Sequence, residues 1–98
     1  MAQINWTLQA LDDIDSICLF IARDAPGIAC IFAQKIFNAT DRLEIFPLSG
    51  RVVPEWEENS IRELIFGNYR IIYRIEKDTV DILTVHHAAR LLKLTLPG

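Results

Sequence analysis

The hydrophobic period changes once along this chain, and that change limits the fold more than any other feature. Up to residue 46 the apolar residues recur at spacings of three and four, as on helices with one buried stripe. From residue 61 they crowd into β-branched and aromatic runs separated by turn dipeptides. Leu8, Leu11, Ile14, Ile17, Cys18 and Ile21 form the first stripe, which predicts a helix over about Thr7 to Arg23. Thr7 can cap its start, and Asp12, Asp13 and Asp15 follow early, where the helix dipole favours them. A short strand, Ala2 to Asn5, precedes it.

Asp24-Ala25-Pro26-Gly27 breaks the pattern; Asp24 is a candidate cap and Pro26 suits a first helical turn. Ile28, Phe32, Ile36, Ala39, Leu43 and Phe46 mark a second stripe, ending before Pro47. So short a break makes the two helices an antiparallel hairpin over about residues 7–46. Residues 47–59 read as a loop. Ile61–Phe66, Tyr69–Ile75 and Val80–His86 then read as three strands joined at Gly67-Asn68 and Lys77-Asp78, a meander over about 60–87, with a tail over 88–98. The expectation is one α+β domain over 1–98, of order β-α-α-β-β-β, with the hairpin on one face of a small, mainly antiparallel sheet.

A domain of 98 residues has a thin core, yet 51% of its residues are hydrophobic. The excess implies dense packing or a partner interface. No apolar run is long enough to span a membrane, and the first residues lack signal-peptide character, so a cytoplasmic protein is expected. Cys18 and Cys30 read as small buried hydrophobes, and no further soft ligand stands at zinc-site spacing; neither a metal nor a cofactor is expected. The net charge is −3, and it is unevenly spread: residues 1–46 carry three basic against six acidic residues, residues 47–98 seven of each. That balance argues against direct DNA binding.

Side chains alternate across a strand. Tyr69, Ile71, Tyr73 and Ile75, with Ile61, Glu63 and Ile65 of the strand before, are assigned to the helix-covered face, Glu63 near its edge. Arg62, Leu64, Phe66, Arg70, Ile72 and Arg74 are then left on the opposite face. Either the long loop or the tail covers Leu64 and Phe66, or this face is a docking surface. Arg70 is read as a partner contact, with pairing to Glu63 or Asp81 as the alternative. Glu55, Glu57 and Glu58 read as a solvated loop, and Trp6 and Trp56 as core or loop anchors. His86 and His87, adjacent on a strand, must point opposite ways and are read first as structural residues.

Several segments resemble the ParE/RelE toxin superfamily. Pro47 to Arg51 resembles its P-x-x-G-R, Arg62-Glu63-Leu64 its R-E-L strand, and Tyr69-Arg70-Ile71-Ile72-Tyr73 its Y-R-(I/V)-x-Y strand. Ile82 to His87 with Arg90 resembles the family's closing (I/V)-L-x-V-x-H and arginine, and Ala10 to Ile14 its A-x-x-D-(I/L) helix. The resemblance implies the toxin of a type II toxin–antitoxin pair, held in a hetero-oligomer by a cognate antitoxin. It covers two mechanisms: ParE-like inhibition of DNA gyrase and RelE-like cleavage of messenger RNA on the ribosome. In the RelE-like pattern, Arg70 matches the central arginine and Arg62 one of two lysines, but Leu64 replaces the other. Ala88 and Ala89 fall in the basic cluster, leaving Arg90, and Leu94 stands near the expected tyrosine. Missing acid, base and cationic groups favour the gyrase branch. The nuclease alternative would use Arg62, Arg70, His86, His87 and Arg90. Antitoxin or target contacts are expected at Arg62, Leu64, Phe66, Arg70, Ile72, Arg74 and Arg90.

Overall fold

The computed structural model describes residues 1–88; Arg90 and the rest of the tail, 89–98, lie outside the described residues. Strand β1 (Gln3–Trp6) leads into helix α1 (Leu8–Ala22), and α2 (Pro26–Asp41) returns antiparallel to it. Two 3-10 turns, Arg42–Glu44 and Pro47–Ser49, lead to a short strand β2 (Arg51–Val52), and β3 (Ile61–Phe66), β4 (Tyr69–Ile75) and β5 (Thr79–His87) follow among the described residues. The sheet order is β1-β5-β4-β3-β2, with β1 parallel to β5 and the other pairs antiparallel. The helical hairpin packs on one face, as the change of period predicts.

Thr7 caps α1: its hydroxyl accepts from the Ala10 amide at 3.2 Å and donates to the Ile82 carbonyl at 2.7 Å, tying helix to sheet. No acidic residue sits in the first turn, so the aspartates lie beyond the strongest part of the dipole. Ala25, not Asp24, is the N-cap of α2, because Pro26 takes the first helical position and leaves Asp24 one residue too early. The α-helix ends at Asp41 rather than near Phe46; Leu43 is buried in the tighter 3-10 turn while Phe46 stays exposed. Leu8, Leu11 and Ile28 of the apolar stripes are also exposed, since the inward face of the hairpin centres on Ala10, Ile14, Ala29 and Ile36.

The expected faces of β3 are reversed. The two-residue turn, with Gly67 at φ 56°, pairs Phe66 with Tyr69, Leu64 with Ile71 and Arg62 with Tyr73. Directly paired residues share a face. Leu64, at 3% exposure, and Phe66 therefore join Ile71, Tyr73, Val85, Ile14 and Ile36 in the core under the helices. Ile61, Glu63 and Ile65 take the opposite face with Arg70, Ile72 and Arg74. That face is not open at its centre: Val53 and Trp56 fold from the loop over Ile61, Ile72 and Leu83 to form a second, smaller core. Trp6 packs against Phe37 with the rings tilted by 58° and their centroids 4.7 Å apart, so both tryptophans act as anchors.

Candidate functional site

Arg70 stands at the centre of the loop-covered face, on the middle strand β4, and is only 5% exposed. Its Nε donates to Glu63 Oε1 at 2.6 Å, and its two terminal nitrogens grip the Glu55 carboxylate at 2.6 and 2.7 Å. The other Glu63 oxygen accepts from Arg51 Nε. The Glu55 hydrogen bond raises the Arg70 pKa above its ordinary value against the opposing effect of burial, so the guanidinium stays charged. Such a bidentate pair in a dry setting leaves Arg70 no free donor fork for a phosphate. Glu55 thus belongs to this network rather than to a solvated loop, and Arg70 pairs with Glu63 but not with Asp81.

The other arginines are also engaged. Arg62 donates to the Asn59 carbonyl (3.1 Å), the Gly50 carbonyl (3.0 Å) and Asn59 Oδ1 (2.8 Å), stitching the two ends of the loop to β3. Arg74 pairs with Glu76 at 3.1 Å and lies 4.0 Å from Asp81. The Arg51 side chain is 62% exposed, although its Nε is bound to Glu63. Beneath it the Tyr73 hydroxyl donates to the Pro47 carbonyl (2.7 Å) and accepts from the Gly50 amide (2.9 Å). Burial pushes the Tyr73 pKa up. A Cβ at Gly50 would meet the Glu63 carbonyl oxygen and Tyr73 Oη at 2.5 Å, so only glycine fits in this P-x-x-G-R segment.

His86 and His87 project to opposite faces: His86 is paired with Arg70, and His87 with Tyr69, its ring edge-on at 5.4 Å. Both border a groove of about 510 Å³ between α1 and the end of β5, with Asp13, Ser16, Phe20 and Tyr69. Asp13 fixes its floor. One carboxylate oxygen accepts from the Thr84 hydroxyl and, at 3.1 Å, from the Val85 amide, beside the bulge where the register shifts past Leu83. Periodicity does not disclose this role, since Asp13 reads simply as one of three helix aspartates. The Glu63 partnership had a signal: a carboxylate flanked on its own strand face by Ile61 and Ile65 needs a cation. Cys18, its pKa raised by burial, approaches the Ala29 carbonyl at 3.7 Å, whereas Cys30 is exposed and not the buried hydrophobe expected.

A helical hairpin laid on a mixed sheet with β1 alongside β5 is the fold of ParE/RelE toxins. A chain of the chromosomal ParDE toxin–antitoxin system of P. aeruginosa superposes with a TM-score of 0.76 at 22% identity, covering 89% of this chain and 96% of that one. A chain of the RelBE2 toxin–antitoxin complex of Mycobacterium tuberculosis gives 0.56 at 24% identity, covering 88% and 96%. The family description "ParE toxin of type II toxin-antitoxin system, parDE" matches residues 4–92, and the chain belongs to that family. Among similar sequences, a toxin candidate, Y4kP, of Sinorhizobium fredii is 42% identical over 88 residues, 88% of each chain. Toxin RelE2 of Caulobacter vibrioides is 35% identical over 92 residues, 93% of this chain and 100% of its own. The protein is a toxin of a type II toxin–antitoxin system.

Proposed function

We propose that this toxin inhibits DNA gyrase by binding it in the cytoplasm, is neutralised in a hetero-oligomer by a cognate antitoxin, and does not itself bind DNA or cut RNA. One observation carries the reading: Arg70, at the position that resembles the central arginine of the nuclease pattern, is buried and held by Glu55 and Glu63. A phosphate approaching it would have to displace two carboxylates that it could not replace without leaving them unpaired. Leu64, in place of a lysine, lies in the core, and Arg62 is engaged by the loop. The net charge of −3 adds no general attraction for nucleic acid.

The groove bordered by the two imidazoles of His86 and His87 supports the one competing reading, ribosome-dependent cleavage, which needs an acid and a base beside the reacting phosphate. A paired assay with purified protein separates the two. Inhibition of gyrase supercoiling with intact ribosome-bound message is expected; cleaved message with normal supercoiling would reverse the assignment.

A further inference from the structure

The chain has two cysteines, and the hairpin brings them to the same level. Cys18 lies on α1 and Cys30 on α2, equally far along the chain from Asp24 in the turn between them. In an antiparallel helix pair such residues stand at the same height. The side chains meet the interface differently. Cys18 is half-buried and packs against the main core, whereas Cys30 is exposed. Ala29, 5% exposed, presents its backbone to α1: the Cys18 Sγ lies 3.7 Å from the Ala29 carbonyl oxygen. One peptide bond joins that carbonyl to Cys30, so the Cys18 sulfur sits beside the backbone that carries the second thiol. Ala29 has no side chain beyond Cβ to hold the helices apart there. Burial, the charge of Asp15 and the nearness of Cys30 together push the Cys18 pKa up.

We propose that Cys18 and Cys30 form a thiol pair that a small-molecule disulfide, such as oxidised glutathione, converts into a bond across the hairpin. Cys30 reacts first, because it is the thiol that solvent reaches. Its thiolate attacks one glutathione sulfur, forms a mixed disulfide and releases the other glutathione as a thiol. Cys18 then loses its proton and attacks the Cys30 sulfur, which expels the second glutathione as a thiol. Two protein thiols are oxidised and one glutathione disulfide is reduced to two thiols. The exposed Cys30 side chain can turn about χ1 to meet Cys18, whose sulfur is already at the helix interface. The bond closes a loop of about a dozen residues and ties the open end of the helical layer, which stabilises the folded toxin. In a reducing compartment it would be transient and would report oxidant rather than build the fold.

The experiment uses the full chain, purified reduced and exposed without denaturant to excess oxidised glutathione, then quenched and measured by intact mass and peptide mapping. The chain should lose two hydrogens, keep no glutathione, and yield one cross-linked peptide pair joining Cys18 to Cys30. Cys18→Ser should instead retain one glutathione on Cys30, and Cys30→Ser should stay unmodified over the same time; Cys18→Ala repeats the first should serine disturb the packing. The oxidised chain should melt about 5 °C or more above the same sample after reduction by dithiothreitol, a difference absent from both serine variants. Glutathione retained on Cys30 of the unmodified chain, with Cys18 still free, would overturn the pairing. So would a disulfide found only between two copies of the chain on a non-reducing gel. An oxidised chain that melts below the reduced one would show that the bond forms only by opening the hairpin, and would overturn the stabilising tie.

Discussion

Arg70 illustrates how a residue can be legible by position and misread by environment. Its place in the Y-R-I-I-Y strand is plain in the sequence, and so is its side of the sheet. What the sequence did not disclose is that the loop folds back to bring Glu55 across it, a contact fifteen residues away that no period encodes. The network makes Arg70 a structural residue. Arg70→Ala leaves Glu63, 1% exposed, without one of its partners, and should lower the unfolding free energy by about 3–5 kcal/mol, read from urea denaturation. Arg70→Met with Glu63→Leu should recover part of that loss, because the buried carboxylate goes too. Leu64 follows the same logic from the other face: Leu64→Asp places a carboxylate in the core and should abolish the cooperative melt, whereas loss of antitoxin affinity in a fully folded variant would return Leu64 to the surface.

At the scale of elements, both helices and all three long strands were legible, because each has a period of its own. The reversed face of β3 was also recoverable, since a two-residue turn at Gly67-Asn68 obliges Phe66 to pair with Tyr69. Two features were not: β2, two residues held by a neighbour rather than by its own pattern, and the bulge at Leu83. The loop that β2 anchors depends on Tyr73. Tyr73→Phe removes the bonds to the Pro47 carbonyl and the Gly50 amide and should cost about 1–3 kcal/mol, read from denaturant midpoints. A pH signature follows. The folded-state pKa of Tyr73 is raised above its ordinary 10.0, so its contribution is complete below pH 10.0 and is lost as pH rises towards the folded value. Stability should fall above pH 10.0, and Tyr73→Phe should flatten that fall; an identical alkaline slope in both proteins would locate the titration elsewhere.

At the scale of the whole molecule, charge and covering set what the toxin can touch. The half of the chain that forms β1 and the helices carries six acidic residues against three basic ones, and Arg62, Arg70 and Arg74 of the sheet are bound to groups of the same chain. A protein arranged this way gains little from counterion release at a nucleic acid, which depends on cations free to replace the condensed ions. Protein surfaces impose no such requirement, and the exposed leucines of α1 and the groove beside Phe20 offer apolar contact to them. The proposed inhibition of gyrase through protein contacts predicts a particular titration. In a supercoiling assay, the toxin concentration giving half-inhibition should rise in proportion to the gyrase present once gyrase exceeds the dissociation constant. It should not move when plasmid DNA is raised tenfold, and added salt within the range that gyrase tolerates should shift it only modestly. Half-inhibition that tracks DNA instead, with a steep loss on raising salt, would mean that the toxin reaches the enzyme through the nucleic acid, and the occupied arginines would then have to open to permit it.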